Sequence, residues 1–177
     1  MNDDVKSIFV LFIVALISGL ILALTYNSTK DTINKTMLTE KHKAILQVIP
    51  EPNLTLEEKG DVFIFKDRAG ALKYVASIGT ASGYSSNLSI AVGFNLNGVM
   101  TGIKIVSEQE TPGLGANSEK PEFYGQFAGK NPLHIKVVKH KATGDEIMAI
   151  TGATITSKAV TRAVRNAYNK VQKYLRK

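Results

Sequence analysis

Leu88–Val106 reads LSIAVGFNLNGVMTGIKIV. Two apolar runs, Leu88–Leu96 and Val99–Val106, meet at Asn97-Gly98, a pair suited to the positive φ angles of a tight hairpin turn. Upstream, Val62–Phe65 and Leu72–Ile78 flank Asp67-Arg68-Ala69-Gly70, a second turn signal. Downstream, Leu133–Val138 alternates with period two and predicts a further strand. The chain closes on a different period. Over Ser157–Leu175, Val160, Ala163, Val164, Ala167, Val171 and Leu175 form one apolar stripe. Lys158, Arg162, Arg165, Lys170, Lys173 and Arg176 fall mostly off it, as a solvated basic face should. Strands first and a helix last predict an α+β domain with an antiparallel sheet and flanking helices.

The N-terminal end obeys another rule. Ile8–Tyr26 reads IFVLFIVALISGLILALTY and carries no charge. As a helix it reaches roughly 28 Å at 1.5 Å per residue, close to the thickness of a bilayer's hydrocarbon core. A cleaved leader favours a shorter run followed by a small-x-small site. Here the exit is Leu24-Thr25-Tyr26-Asn27, so the segment reads as a single uncleaved transmembrane anchor. Thr32–Ile49 then shows a helical pattern, stopped by Pro50 and Pro52. The expected organisation is a short tail at 1–7, the anchor at 8–26, a connecting helix at 27–50 and the domain at 51–177. Lys6 before the anchor and Lys30 and Lys35 after it leave the topology open on charge alone.

With 177 residues, the chain has room for one anchor and one ordinary domain. Its net charge is +7, and the part beyond Asn27 is more basic still, since before it only Lys6 stands against Asp3 and Asp4. Such a surface favours anionic cofactors, acidic redox partners or lipid headgroups. Nucleic acid fits poorly, because there is no Trp and no recognisable binding motif. The absence of Cys excludes a disulfide and a thiolate iron–sulfur or zinc site within the chain. His42, His134 and His140 lack metal-ligand spacing, so no metal site is expected.

Two glycine-containing segments interrupt the regular pattern. Glu108-Gln109-Glu110-Thr111-Pro112-Gly113-Leu114-Gly115-Ala116 follows a strand directly. Pro112 fixes one φ angle, while Gly113 and Gly115 permit close backbone approach. The segment reads either as a rigid surface turn or as a loop contacting a flat ligand. Ile150-Thr151-Gly152-Ala153-Thr154-Ile155-Thr156-Ser157 opens the last helix. Its hydroxyls suit helix capping, yet there are more of them than one cap needs. A helix N-terminus offers free N–H groups and partial positive charge, so phosphate is a natural occupant. The Lys and longer spacing of a P-loop are missing, which speaks against nucleotide hydrolysis. No nucleophilic triad or carboxylate dyad can be assembled, so no catalytic residue is assigned.

At these two segments the chain resembles a known family. Thr151-Gly152-Ala153-Thr154 with Ile155-Thr156-Ser157 is similar to the S/T-G-A-T motif of FMN-binding domains. These domains occur in the G subunit of Rnf-type ion-translocating ferredoxin:NAD oxidoreductases and in the C subunit of the sodium-translocating NADH:quinone reductase. Glu110-Thr111-Pro112-Gly113-Leu114-Gly115 resembles the family's second signature, and Gly83-Tyr84 before the hairpin fits the same framework. The length and the TGATITSKAV wording look more like the Rnf G subunit. The resemblance covers nearly the whole chain.

The resemblance implies one FMN joined by a phosphoester to the hydroxyl of Thr154, attached by a separate flavin transferase that uses FAD and a divalent metal. It implies that the backbone around Gly152 to Thr156, Ala153 and Ile155 included, holds the phosphate, with Thr151 and Ser157 also binding the cofactor. Glu110, Thr111, Gly113, Leu114, Gly115 and Tyr84 would then belong to the flavin site. It implies an electron relay among the membrane and iron–sulfur subunits of a translocase, not catalytic alone, with its flavin domain on the extracytoplasmic side. The chain departs from the family at one point: Met148 stands where an Asp usually precedes the motif by three residues. That position is thought to belong to the transferase recognition signal. The alternative reading is a membrane-tethered module that binds FMN or another phosphorylated ligand non-covalently.

Overall fold

The computed structural model describes residues 3–175; Arg176, placed above on the basic face, lies outside them. The order of elements is α1 (Asp3–Gln47), β1 (Thr55–Lys59), β2 (Val62–Lys66), β3 (Leu72–Ser82), β4 (Asn87–Asn95), β5 (Met100–Ser107), α2 (Pro121–Tyr124), β6 (Lys136–Val138), β7 (Glu146–Met148) and α3 (Thr154–Val171). Short 3₁₀ turns at Gly115–Glu119, Gly125–Phe127 and Gln172–Tyr174 complete it. The chain divides into two compact units after Glu40.

The first unit is helix alone. α1 does not break at the polar stretch after Tyr26, because the hydroxyls there satisfy themselves on their own helix. Thr25 donates to the Ile21 carbonyl at 2.8 Å, Ser28 to Leu24 at 2.9 Å and Thr29 to Thr25 at 2.8 Å. Over Ile8–Leu24 the apolar side chains, the half-buried Ile13 apart, are exposed round the helix. A helix apolar on every face needs an apolar surrounding, and this one is long and apolar enough to cross a membrane.

In the second unit, β1-β2-β3-β4-β5 form one sheet in sequence order, every neighbouring pair antiparallel. Strand alternation sorts the side chains onto two faces. Val62, Ile64, Val75, Leu88, Ile90, Val92 and Phe94 pack with Ala159, Val160, Ala163, Val164, Ala167 and Val171 of α3. Phe63, Phe65, Ala76, Ile78 and Ala91 pack on the other face with Ala44, Ile45, Val48 and Ile49, the end of α1 and its exit. Covered on both sides, β3 and β4 read as near-continuous apolar runs rather than strict alternations. The basic residues Lys158, Arg162, Arg165, Lys170 and Lys173 are exposed, as their positions off the stripe required.

The hairpins form where the turn signals stand. Gly98 takes φ 78° and its N–H donates to the Asn95 carbonyl. Asp67 accepts from the N–H groups of Ala69 and Ala71. Leu133–Val138 departs from expectation. Only Lys136–Val138 is strand, and it pairs parallel with β7 in a separate two-stranded sheet. The N–H groups of His134 and Ile135 donate back to the Asn131 carbonyl, which turns the start of that segment. β1, β7 and the short turns around α2 carry weak patterns and were not foreseen.

α3 lies unusually close to the sheet. A Cβ on Gly79 of β3 would stand 1.9 Å from the Ala163 carbonyl oxygen and 2.9 Å from the Ala167 nitrogen. Both are helix backbone, so neither can swing aside. Gly79→Ala must push α3 off β3 and is expected to cost about 2 kcal/mol, read as a lower midpoint in chemical unfolding. An unchanged midpoint would contradict this packing.

Candidate functional site

β7 delivers the chain to the start of α3 through a loop held by its own bonds. Ala149 N–H donates to the Val138 carbonyl at 2.7 Å, and Ala153 N–H to the Ile150 carbonyl at 2.9 Å. Gly152 makes the turn at φ 75°, a region L side chains avoid, and a Cβ there would lie 2.9 Å from Leu114 Cδ2. Ser157 closes the loop: its hydroxyl accepts from Ile150 N–H and donates to the Ala153 carbonyl, both at 3.0 Å.

α3 therefore starts at Thr154, three residues before the expected start at Ser157. Ser157 turns back onto the loop instead of capping the helix. Ala153 stands at the cap position without a side-chain cap bond. The first turn of α3 keeps its partial positive charge available to a ligand.

Glu110 organises the other side. It is 6% exposed and sits at the meeting point of three segments distant in sequence. Its carboxylate accepts from the backbone N–H groups of Tyr84, Ser85 and Ser86 at 3.0–3.2 Å. It also accepts from the Thr156 hydroxyl at 2.6 Å and the Ser86 hydroxyl at 3.3 Å. Burial pushes the Glu110 carboxyl up. The Thr156 hydroxyl and the N–H groups of Ser85, Ser86 and Tyr84 outweigh burial and hold it below the ordinary carboxylate value. A Cβ on Gly115 would come within 2.7 Å of Glu110 and 2.8 Å of the Thr156 hydroxyl, so this position accommodates only glycine without a shift.

Between these two assemblies lies an open cleft of about 670 Å³. Eleven of the expected site residues line it: Tyr84, Glu110, Thr111, Leu114, Gly115, Thr151, Gly152, Ala153, Thr154, Ile155 and Thr156. Gly113 and Ser157 do not. The Gly113 carbonyl accepts from the Asn117 amide at 2.7 Å, and Ser157 is fully buried beneath the loop. Lys139, Ala149 and Ile150 complete the lining and were missed. Ile150 was within reach of the motif itself, but nothing in the sequence points to Lys139. It arrives through the β6–β7 pairing, which was not foreseen.

The lining suits a phosphorylated ligand with a flat apolar part. The volume is within the usual range for cofactor sites. One wall is an uncapped helix start with the Thr151 and Thr154 side chains. The rim carries the exposed Tyr84, Leu114 and Ile155, surfaces on which a ring can lie. Hydroxyl usage separates the candidates for covalent chemistry. Thr156 is spent on Glu110 and Ser157 on the loop, whereas Thr151 and Thr154 face the cleft uncommitted. Met148 is exposed at the end of β7, its backbone gripped on both sides by the Gln126 amide. Among the described residues no group of His, Cys, Asp or Glu is placed to hold a metal ion.

Comparison with known proteins agrees with this geometry. Residues 83–169 match the FMN-binding domain model. The chain is 33% identical to the G subunit of the proton-translocating ferredoxin:NAD(+) oxidoreductase complex of Clostridium ljungdahlii, covering 96% of this chain and 95% of that one. It is also 33% identical to the G subunit of the Na(+)-translocating complex of Acetobacterium woodii, over 88% and 85% of the two chains. The fold is shared with the C subunit of the Na(+)-translocating NADH-quinone reductase from Parabacteroides distasonis, with a TM-score of 0.63, 21% identity and coverage of 85% and 97%. It is shared as well with NqrC of Shewanella oneidensis, at a TM-score of 0.52, 19% identity and coverage of 73% and 74%.

Proposed function

Because the chain belongs to the G-subunit family of ion-translocating ferredoxin:NAD oxidoreductase complexes, with its FMN-binding domain, we propose that it is a membrane-anchored flavin electron carrier whose FMN is esterified to Thr154. The observation that carries the reading is the pairing of an uncommitted Thr154 hydroxyl with an uncapped helix start inside a cleft of cofactor size. FMN, when bound, supplies the redox chemistry. The chain's residues hold it: the Thr151–Thr156 backbone lies around the phosphate, while Tyr84, Leu114 and Ile155 offer the ring an apolar surface.

Among the described residues no base is hydrogen-bonded to the Thr154 hydroxyl to activate it, which supports attachment by a separate flavin transferase. Thr154 would supply the acceptor oxygen and FAD the flavin-side phosphoryl; the pyrophosphate bond would break and AMP would leave, with the hydroxyl proton going to solvent. The anchor occupies 8–26, with a tail at 1–7, a connection at 27–50 and the domain at 51–177 on the extracytoplasmic side. There it relays electrons among the other membrane and iron–sulfur subunits. Covalent attachment suits that side, where free FMN is not replenished.

The test is the intact mass of the chain purified from its native membrane. An increment of FMN less water, mapped to the Thr151–Ser157 peptide, is expected. Met148 in place of the family's Asp favours a second reading, non-covalent FMN. On that reading the protein is yellow when native, loses its colour on denaturation and has the unmodified mass, which would overturn the phosphoester.

A further inference from the structure

Lys139 is the one cation among the described residues that line the cleft. It follows β6 directly. The 2.7 Å bond from Ala149 N–H to the Val138 carbonyl holds the backbone of Lys139 beside Ala149-Ile150, the stem of the loop that carries Thr154. Lys139 therefore belongs to the helix-start end of the cleft, while Tyr84 belongs to the Glu110 end. Its side chain is exposed and makes no hydrogen bond or ion pair among the described residues. The only acid lining the cleft is Glu110, whose carboxylate is taken up by Tyr84, Ser85, Ser86 and Thr156. Among the described residues nothing neutralises Lys139 from within the cleft.

A phosphoryl group at Thr154 keeps negative charge as a monoester or as a diester. The start of α3 contributes only a partial positive charge to it. We propose that Lys139 is the cation that pairs with the flavin's phosphate, holding FMN at the Thr154 end of the cleft before and after attachment. This rests on the FMN reading above. Lys139 is a positioning residue here. It makes no contact with the redox-active ring and should leave the flavin potential unaltered.

The test uses the full chain produced without a flavin transferase, so that Thr154 is unmodified, and titrates it with FMN and separately with riboflavin. Riboflavin has the same ring and ribityl chain but no phosphate. Lys139→Gln is expected to weaken FMN by about fivefold, with Lys139→Arg restoring it, and to leave riboflavin unchanged. Added salt should weaken FMN more in the native chain than in Lys139→Gln. Equal FMN affinity in the two proteins overturns the proposal. Equal weakening of FMN and riboflavin also overturns it, because it points to packing instead of charge. If neither flavin binds the native chain, the FMN reading of the cleft fails and takes this proposal with it, a result distinct from the other two. In the loaded protein an unchanged flavin potential in Lys139→Gln is the expected companion result. A clear shift would place Lys139 at the ring and overturn the phosphate assignment.

Discussion

Thr154→Ala, made in cells that contain the flavin transferase, is expected to give a dark band under ultraviolet light on a denaturing gel where the native chain fluoresces. The loss should be complete, because neighbouring hydroxyls cannot substitute. Thr156 donates its hydrogen bond to Glu110, and Ser157 is buried with both its bonding roles filled. Thr151 is uncommitted but sits on the other side of Gly152, outside the first turn of α3. The fold should not suffer. Thr154 is half-buried, makes no side-chain hydrogen bond among the described residues and begins the helix without capping it, so Ala is well tolerated there. An unchanged unfolding midpoint alongside a lost label separates a missing acceptor from a damaged domain. A band of native intensity from Thr154→Ala would move the attachment to Thr151 and defeat the assignment.

The second large effect is on stability. Glu110→Ala removes the acceptor for three backbone N–H groups and two hydroxyls in a part-buried network at the wall of the cleft. The buried Thr156 hydroxyl keeps its desolvation penalty without compensation, the N–H groups nearer the cleft recover part of theirs from water, and the cost is expected to be about 2 kcal/mol in chemical unfolding. Glu110→Gln should recover little, because its amide nitrogen is a donor aimed among donors. A small change in Glu110→Ala would mean the loops are held by something else. The same carboxylate carries a pH dependence. Its folded pKa lies below the ordinary 4.5, so between the two values the unfolded chain binds the proton more readily. The Glu110 contribution is full above 4.5 and is lost as pH falls through the lower folded value. Glu110→Ala should flatten that acid limb relative to the native chain.

The β2–β3 and β4–β5 hairpins and the two long helices were legible because their signals are local. Gly98 supplies the positive φ of its turn, which Asn95 Oδ1 braces by accepting from the N–H groups of Asn97 and Val99, and the Val160–Val171 stripe has only one apolar face to bury. Most of the cleft was legible too, since the motif residues are contiguous in sequence. What stayed hidden depends on partners far along the chain. Leu133–Val138 alternates like a strand of the main sheet, but its partner is β7, a three-residue strand too short to announce itself. Lys139 enters the cleft only through that pairing. Glu110 stands among ligand contacts by its place in a motif. Its actual bonds to Tyr84, Ser85, Ser86 and Thr156 span more than twenty residues in either direction, which no local pattern encodes.

The Ser157 hydroxyl, bonded to Ile150 on one side and Ala153 on the other, bears on how the protein matures. These bonds use only the chain's own groups, so the loop reaches its working shape when the domain folds, with no flavin to template it. The ordering entropy of that loop is then already spent when a modifying enzyme arrives. Such an enzyme would meet a loop already bonded into shape at the surface in place of an unstructured peptide. On the covalent reading proposed above, maturation would run in one direction: the domain folds, and the finished surface is what receives the cofactor.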